Sequence, residues 1–144
     1  MSGIVSGLGN AIYDFEIYEN LSAYMGLIFE EICKQYLLEE ARNNTLPFLI
    51  GKIGRWWGNN PKEKRQEEID ILAYRKDNAI FCECKWTNAL VDIDVLVDLQ
   101  TQSELFPYKS KWFLLFAKAG FTDRLIKETD KHDNVRLIVF NDMI

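Results

Sequence analysis

The segment from Glu67 to Trp86 constrains the fold of this chain more than any other. It contains two short runs in which apolar and polar residues alternate, separated by Asp77 and Asn78. Alternation with a period of two indicates strands, and Asn tolerates the positive φ that a two-residue hairpin turn requires. The segment therefore predicts an antiparallel hairpin with its turn at Asp77-Asn78.

This turn predicts which residues lie opposite each other in the hairpin. Asp70 would lie opposite Lys85, and Glu83 would be its diagonal neighbour, about 7–8 Å away at the backbone. One face would be almost wholly apolar and would belong to the core: Ile69, Ile71, Ala73, Ile80, Cys82, Cys84 and Trp86. The other face would change from apolar near the turn to charged at its far end.

The charged end has more than one interpretation. Asp70, Glu83 and Lys85 could form an ion pair, either on a solvated sheet face or buried. Alternatively, the two carboxylates and the carbonyl of Cys84 could bind Mg²⁺ or Mn²⁺. Mg²⁺ usually keeps several waters and is held by one or two carboxylates plus substrate phosphate. Lys85 would then orient a metal-bound water or contact the phosphate.

Size and composition limit the class of protein. The chain has 144 residues, of which 48% are hydrophobic and 13% aromatic, as expected of one globular domain. Three cysteines, an odd number, indicate reduced thiols. The single histidine, His132, argues against a zinc site. We expect a cytoplasmic protein without a membrane partner, since no apolar run reaches the length of a membrane span and the N-terminus does not resemble a signal peptide.

The net charge of −5 does not by itself indicate a nucleic-acid-binding protein. A basic stretch nevertheless precedes the hairpin and includes two adjacent tryptophans. The candidate DNA contacts in it are Lys52, Arg55, Trp56, Trp57, Lys62, Lys64 and Arg65. The alternatives are ordinary surface charge, and tryptophans that seal an edge of the core.

Periodicity gives the other elements. In order, we predict an N-terminal arm at 1–19, a helix from Leu21 to Ala41 capped by Asn20 or Ser22, a strand from Pro47 to Arg55, a loop at 55–61, the hairpin, a helix from Asp92 to Phe106, a strand from Lys111 to Ala117, a helix from the Thr122 cap to about Lys131 and a strand from Val135 to Phe140. Residues 20–144 would form one domain. The early strands suit an antiparallel meander and the later strands a parallel crossover.

Several of these features resemble a known superfamily. Asp70, twelve intervening residues and then Glu83-Cys84-Lys85 resemble the PD-(D/E)xK motif of restriction-endonuclease-like nucleases, with Ile69 in place of the usual proline. The αβββαβ order is similar to the core of these enzymes. The tail, LFAKAGFTDRL followed by VRLIVF, resembles the nuclease-like domain that follows the P-loop ATPase in archaeal-type ATPase fusion proteins. No GxxxxGK[ST] loop occurs, so the chain is not itself the ATPase.

The resemblance implies an α/β (α+β) fold with a mixed central sheet flanked by helices. It also implies a Mg²⁺- or Mn²⁺-dependent DNA nuclease whose catalytic residues are Asp70, Glu83, Lys85 and Glu30, with Glu30 contacting the metal through water. The implied partners are DNA, a P-loop ATPase domain or protein, and a second copy of the chain. The alternative is an inactive nuclease-fold module that binds DNA or a protein.

Three further residues are weaker candidates for the site. Glu31 is the alternative to Glu30 on the first helix. Gln100 and Gln102, in the second helix, are minor candidates, for which an ordinary surface position is the competing interpretation.

Overall fold

The computed structural model describes the backbone of residues 7–144 and the side chains of residues 20–144. Its elements are α1 Gly7–Arg42, β1 Lys52–Asn60, β2 Arg65–Arg75, β3 Asn78–Lys85, α2 Ile93–Ser103, β4 Ser110–Ala117, α3 Asp123–Thr129, β5 Val135–Val139 and a 3₁₀ turn at Phe140–Met143. The five strands form one sheet in the order β1-β2-β3-β4-β5. The first three strands are antiparallel and the last three are parallel. The predicted mixed sheet flanked by helices is confirmed.

The sheet is covered on both faces. On one face α1 buries Phe29, Cys33 and Leu37. On the other, α2 and α3 bury an apolar cluster that includes Leu96, Leu99 and Leu125. Strand β4 is buried from 113 to 117, as expected of a parallel strand between two layers. Among the described helices, none has the length and apolar character needed to cross a membrane.

The hairpin forms, but its turn lies earlier than predicted. Arg75 pairs with Asn78, so the two turn residues are Lys76 and Asp77. Lys76 has a φ of 54° and supplies the left-handed conformation that we had assigned to Asn78. The register therefore shifts by two residues and Leu72 faces Phe81. A shift of two changes partners but not faces, because side chains alternate with a period of two.

A bulge in β2 is the largest departure from the predicted hairpin. Gly54 pairs with Leu72 and Trp56 pairs with Ile69, so two residues of β2, Asp70 and Ile71, oppose one residue of β1. The bulge reverses the faces of the residues that precede it. Ile69 is therefore buried in the cluster under α2, and the prediction that it shares a face with Ile71 is wrong.

Other boundaries differ at the start of the domain. Strand β1 covers Lys52–Asn60, so most of the predicted loop at 55–61 is strand. Helix α1 already begins at Gly7, upstream of the predicted caps. Residues 1–6, and the side chains of residues 1–19, lie outside the described part of the chain, and the predicted arm stays a prediction. The predicted Thr122 cap is confirmed, since its side chain accepts from the Leu125 amide.

Candidate active site

The predicted acids and lysine meet where β2 and β3 separate. The paired ladder between these strands ends at Ile71 and Cys82, and continuing its register places Asp70 directly across from Glu83. Beyond the ladder, the backbone N–H of Cys84 donates to Oδ2 of Asp70 at 2.9 Å. The Asp70 side chain thus replaces a backbone partner. The structure brings Asp70, Glu83 and Lys85 to one place, as predicted, with Glu83 rather than Lys85 across from the aspartate.

These three side chains line a cleft of about 400 Å³ between the sheet and α2. Its charged lining comprises five acids and two bases: Glu67, Glu68, Asp70, Glu83, Asp98, Arg65 and Lys85. With every group ionised, their formal charge is −3. An acid surplus in a cleft attracts cations, and it opposes a polyanion unless a cation is present.

Among the acids that line this cleft, Glu83 has the least favourable surroundings. Its side chain is 18% exposed, and its Oε1 lies 3.4 Å from Nζ of Lys85. Burial, followed by the negative charge of Asp70, raises the pKa of Glu83 to about 8, and Lys85 offsets this only in part. The described residues therefore do not provide enough positive charge for this pair of carboxylates.

Glu30 reaches the same aspartate from α1. It forms an ion pair with Arg55, whose Nη1 also contacts Oε1 of Glu68 at 2.8 Å. Burial and then the charge of Asp70 raise the pKa of Glu30, while Arg55 lowers it. Glu30, Arg55 and Asp70 line a second cleft of about 260 Å³, together with the exposed Glu31. Asp70 thus borders both clefts, and Arg55 partly neutralises the one on the α1 side.

The donors present suit a hard divalent cation. Carboxylate oxygens are the ligands that Mg²⁺ prefers, and the raised pKa of Glu83 marks negative charge that a cation would offset. Within the described side chains, no group of three or more His, Cys, Asp or Glu residues is arranged to hold a metal ion. The set that fits is therefore two carboxylates, Asp70 and Glu83. The Cys84 carbonyl and a water-mediated Glu30 remain predicted additions.

The predicted basic stretch does not form one patch. Lys52 begins β1, whereas Lys62 and Lys64 lie in the turn beyond its other end. A nine-residue strand separates these positions by roughly 27 Å. Arg65 lines the cleft, and Arg55 pairs with Glu30 and Glu68. The bases therefore face different surroundings.

The two tryptophans have different environments because they occupy successive positions of a strand. Trp56 packs on Phe106 with ring centroids 4.8 Å apart and closes an edge of the core. Trp57 points the other way and is 67% exposed. Of the two, only Trp57 presents its ring to solvent, where it could stack on a base.

A buried carboxylate in the cleft was missed from the sequence. Glu67 is 6% exposed. Its Oε1 accepts from Nε of Arg65 at 2.8 Å and Nδ2 of Asn60 at 3.3 Å, and its Oε2 accepts from Nε2 of Gln102 at 2.8 Å. These donors, Gln102 first, lower the pKa of Glu67. One signal was present, since Glu67 falls on the same alternation phase as the buried Ile69. Gln102, a minor candidate, is thereby placed in the cleft.

Together these elements define an αβββαβ domain with a mixed sheet and a carboxylate-rich cleft. The chain belongs to the DUF234 family, described as archaea bacterial proteins of unknown function, whose model matches residues 1–112. It is 39% identical over 94 residues to the uncharacterized protein MJECL04 of Methanocaldococcus jannaschii. That match covers 63% of this chain and 20% of the relative, so the chain spans about a fifth of that protein's length.

Two solved structures are similar at low identity. A protein of unknown function, AF1548, matches with a TM-score of 0.47 and 13% identity, over 76% of this chain and 58% of that one. The DNA modification-dependent restriction endonuclease AspBHI matches with a TM-score of 0.41 and 12% identity, over 82% of this chain and 33% of that one. At these scores neither likeness bears on the function of this chain.

Proposed function

We propose that this chain is a Mg²⁺- or Mn²⁺-dependent phosphodiesterase that acts on DNA, centred on Asp70, Glu83 and Lys85. The observation that carries the proposal is the junction of β2 and β3. There a half-buried lysine and two facing carboxylates share one cleft, and the pKa of Glu83 is raised to about 8. Such a perturbed acid in a cleft is typical of functional sites.

The carboxylates of Asp70 and Glu83 would hold the cation, with the Cys84 carbonyl as a further ligand. When bound, the cation would polarise a phosphoryl oxygen and lower the pKa of a bound water. The N–H of Cys84 holds Oδ2 of Asp70, which fixes the orientation of that carboxylate. Glu30 would complete the set through a water from the α1 side.

Lys85 would contact the phosphate. Its side chain is 40% exposed and its Nζ lies 3.4 Å from Glu83, so it can reach a group bound in the cleft. An ammonium ion there would donate to phosphate oxygens and offset the charge that develops on them during hydrolysis. Lys85 is also one of only two bases among the described residues that line the cleft.

The excess of acids in the cleft should make DNA binding depend on a divalent cation. A cleft with a formal charge of −3 repels a phosphodiester backbone. We therefore expect DNA to bind well only when a divalent cation is present, and to bind less tightly as monovalent salt rises. Lys62, Lys64 and Trp57, which are exposed, would contact DNA outside the cleft.

The test is a cleavage assay with plasmid, single-stranded and branched DNA in Mn²⁺ and in EDTA. Cleavage in Mn²⁺ should disappear in EDTA and in the variants Asp70→Asn and Lys85→Gln. Asp77→Asn is the matched control, because Asp77 is an exposed acid in the hairpin turn whose nearest base, Lys109, is 3.9 Å away. Cleavage that survives Asp70→Asn would exclude this site.

A nuclease-fold module without turnover is the second candidate. It is favoured by the pairing of Arg55 with both Glu30 and Glu68, which makes these two acids less available to a cation. Calorimetry with Mn²⁺ separates the candidates, since an inactive module without a site should give no heat of binding. We also propose a P-loop ATPase domain or protein as a partner, on the resemblance of the tail alone.

A further inference from the structure

Glu67 has no part in the chemistry proposed above, yet it is buried in the same cleft as Asp70 and Glu83. A carboxylate removed from water is costly unless charged or polar donors satisfy it. Three side chains do so here, and each comes from a different place in the fold. Asn60 ends β1, Arg65 begins β2 and Gln102 lies on α2.

The hydrogen bonds around Glu67 shape the end of the cleft near the β1–β2 turn. Oδ1 of Asn60 accepts from the backbone amides of Lys62 and Glu63, at 3.1 and 3.2 Å, which orders the turn. Nε2 of Gln102 also donates to the carbonyl of Glu68 at 3.2 Å. Glu67 thus ties the turn, the strand and the helix together.

Arg65 is the member of this group that faces solvent. Its side chain is 64% exposed. Its Nε donates to Glu67, and among the described residues its terminal amino groups have no hydrogen-bond partner. A guanidinium held through Nε keeps its outer donors in a fixed plane, where they can bind two oxygens of one phosphate.

The distance between Arg65 and the proposed metal-binding acids indicates how a DNA strand would lie in the cleft. Arg65 precedes Asp70 by five residues of β2, which corresponds to roughly 16 Å along a strand. Arg65 and Lys85 are the two bases among the described residues of the cleft. Because β3 runs antiparallel to β2, continuing their register places Lys85 across from Glu68, between Arg65 and Asp70. A DNA strand along β2 would therefore pass Lys85 beside the acids and reach Arg65 beyond them.

We propose that Arg65, oriented by the buried Glu67, forms a second phosphate-binding subsite for the backbone of the substrate strand. This inference rests on the proposed function and adds to it the direction in which the strand lies. The phosphate bound by Arg65 lies about five nucleotides from the scissile one, given a rise of about 3.4 Å per nucleotide. Glu67 is a positioning residue, since it acts only through Arg65.

The test measures equilibrium binding of a fluorescent single-stranded oligonucleotide of about 20 nucleotides, long enough to reach both ends of the cleft. All variants carry Lys85→Gln and are measured in Mn²⁺, which keeps the strand intact and leaves both proposed metal-binding carboxylates in place. Arg65→Gln should weaken binding roughly 5- to 10-fold. It should also reduce the slope of log Kd against log salt by about 0.7, the contribution of one phosphate contact on a single strand.

Two further variants separate positioning from folding. Glu67→Gln should weaken binding by less than Arg65→Gln does, because the amide oxygen can still accept from Nε of Arg65 but no longer carries the charge that holds it. The double variant should bind no more weakly than Arg65→Gln alone. Arg65→Lys should not restore binding, because one ammonium cannot pair with Glu67 and with a phosphate as the guanidinium does. Arg65 is exposed, so its variants should fold even if Glu67→Gln is destabilised.

Arg75→Gln is the matched control, since Arg75 is an exposed arginine at the other end of the same strand. It should leave the Kd and the salt slope unchanged. The subsite is wrong if Arg65→Gln behaves like Arg75→Gln, if the two single effects add, or if the parent protein does not bind the strand. None of these results depends on cleavage, which the Mn²⁺ assay tests separately.

Discussion

The two ends of the acidic cleft each hold a largely buried glutamate, and the protein treats the two in opposite ways. At the turn end, Glu67 accepts hydrogen bonds from three side chains, which lower its pKa. At the junction of β2 and β3, Glu83 faces Asp70 with Lys85 as its only basic partner among the described residues. Its pKa rises to about 8.

We interpret this difference as one between a carboxylate that serves the fold and a carboxylate that is available to a ligand. Burial alone does not distinguish them, because both side chains are mostly inaccessible. The number of hydrogen-bond donors and positive charges around each carboxylate does distinguish them. Glu67 has its positive and polar partners inside the protein, whereas among the described residues Glu83 and Asp70 have too few to offset their charge, which is why we propose a cation there. Substitutions at the two ends of the cleft should therefore have different effects on activity and on stability.

The largest effect should follow from Asp70→Asn, which removes the charge that faces Glu83. We expect cleavage in Mn²⁺ to fall by roughly 10³-fold or more, because one of two acidic ligands is lost. The metal-free protein should not be destabilised, since the substitution relieves repulsion. Steady-state cleavage rates and urea unfolding in EDTA measure the two effects. A variant that loses activity because it unfolds would argue that Asp70 is structural.

Glu67→Leu should have the largest effect on stability. It leaves the donors of Arg65, Asn60 and Gln102 without their acceptor, and the last two of these are at least partly buried. The free energy of unfolding should therefore fall by about 2–3 kcal/mol. Because the pKa of Glu67 is lowered, its stabilising contribution is present above the unfolded-state pKa and is lost as pH falls through the folded-state pKa. The difference between wild type and variant, from urea unfolding, should therefore shrink in acid. A variant as stable as wild type at pH 7 would contradict the role assigned to these hydrogen bonds.

Glu83→Gln should change the free energy of unfolding in the opposite direction to Glu67→Leu. In EDTA at pH 7 we expect it to stabilise the protein by about 1–2 kcal/mol, since a raised pKa corresponds to ~1.4 kcal/mol per unit and the cleft is open to solvent on one side. A carboxyl with a raised pKa contributes stability that is present below its unfolded value and lost as pH rises through its folded value. The advantage of the variant should therefore grow from about pH 5 to pH 8. If Glu83→Gln is less stable than wild type throughout, Glu83 and Lys85 form a stabilising ion pair instead.

The two-residue period of a strand explains how much of this site can be predicted from the sequence. Asp70, Glu83 and Lys85 were expected on one face, and a two-residue error in register kept them there. Ile69 was placed on the wrong face because Ile69, Asp70 and Ile71 alternate regularly and carry no local sign of a bulge.

Contacts distant in sequence explain the other differences. Glu67 and Gln102 are 35 residues apart, and only packing of α2 on the sheet shows that they meet. Trp57-Gly58-Asn59-Asn60 has the composition of a turn, yet pairing with β2 makes it strand. Tertiary context overrides local propensity there.

The smallest effect, and the most direct comparison of the two glutamates, is stabilisation by Mn²⁺. At an ion concentration ten times the Kd, wild type should gain about 1.4 kcal/mol over the EDTA sample, because a ligand that binds only the folded state stabilises it by RT ln(1 + [L]/Kd). Glu67→Gln should gain nearly the same amount, since it leaves Asp70 and Glu83 intact, whereas Glu83→Gln should gain little. Thermal unfolding with and without Mn²⁺ measures these differences. Equal gains in both variants would place the cation elsewhere and remove the distinction between the two ends of the cleft.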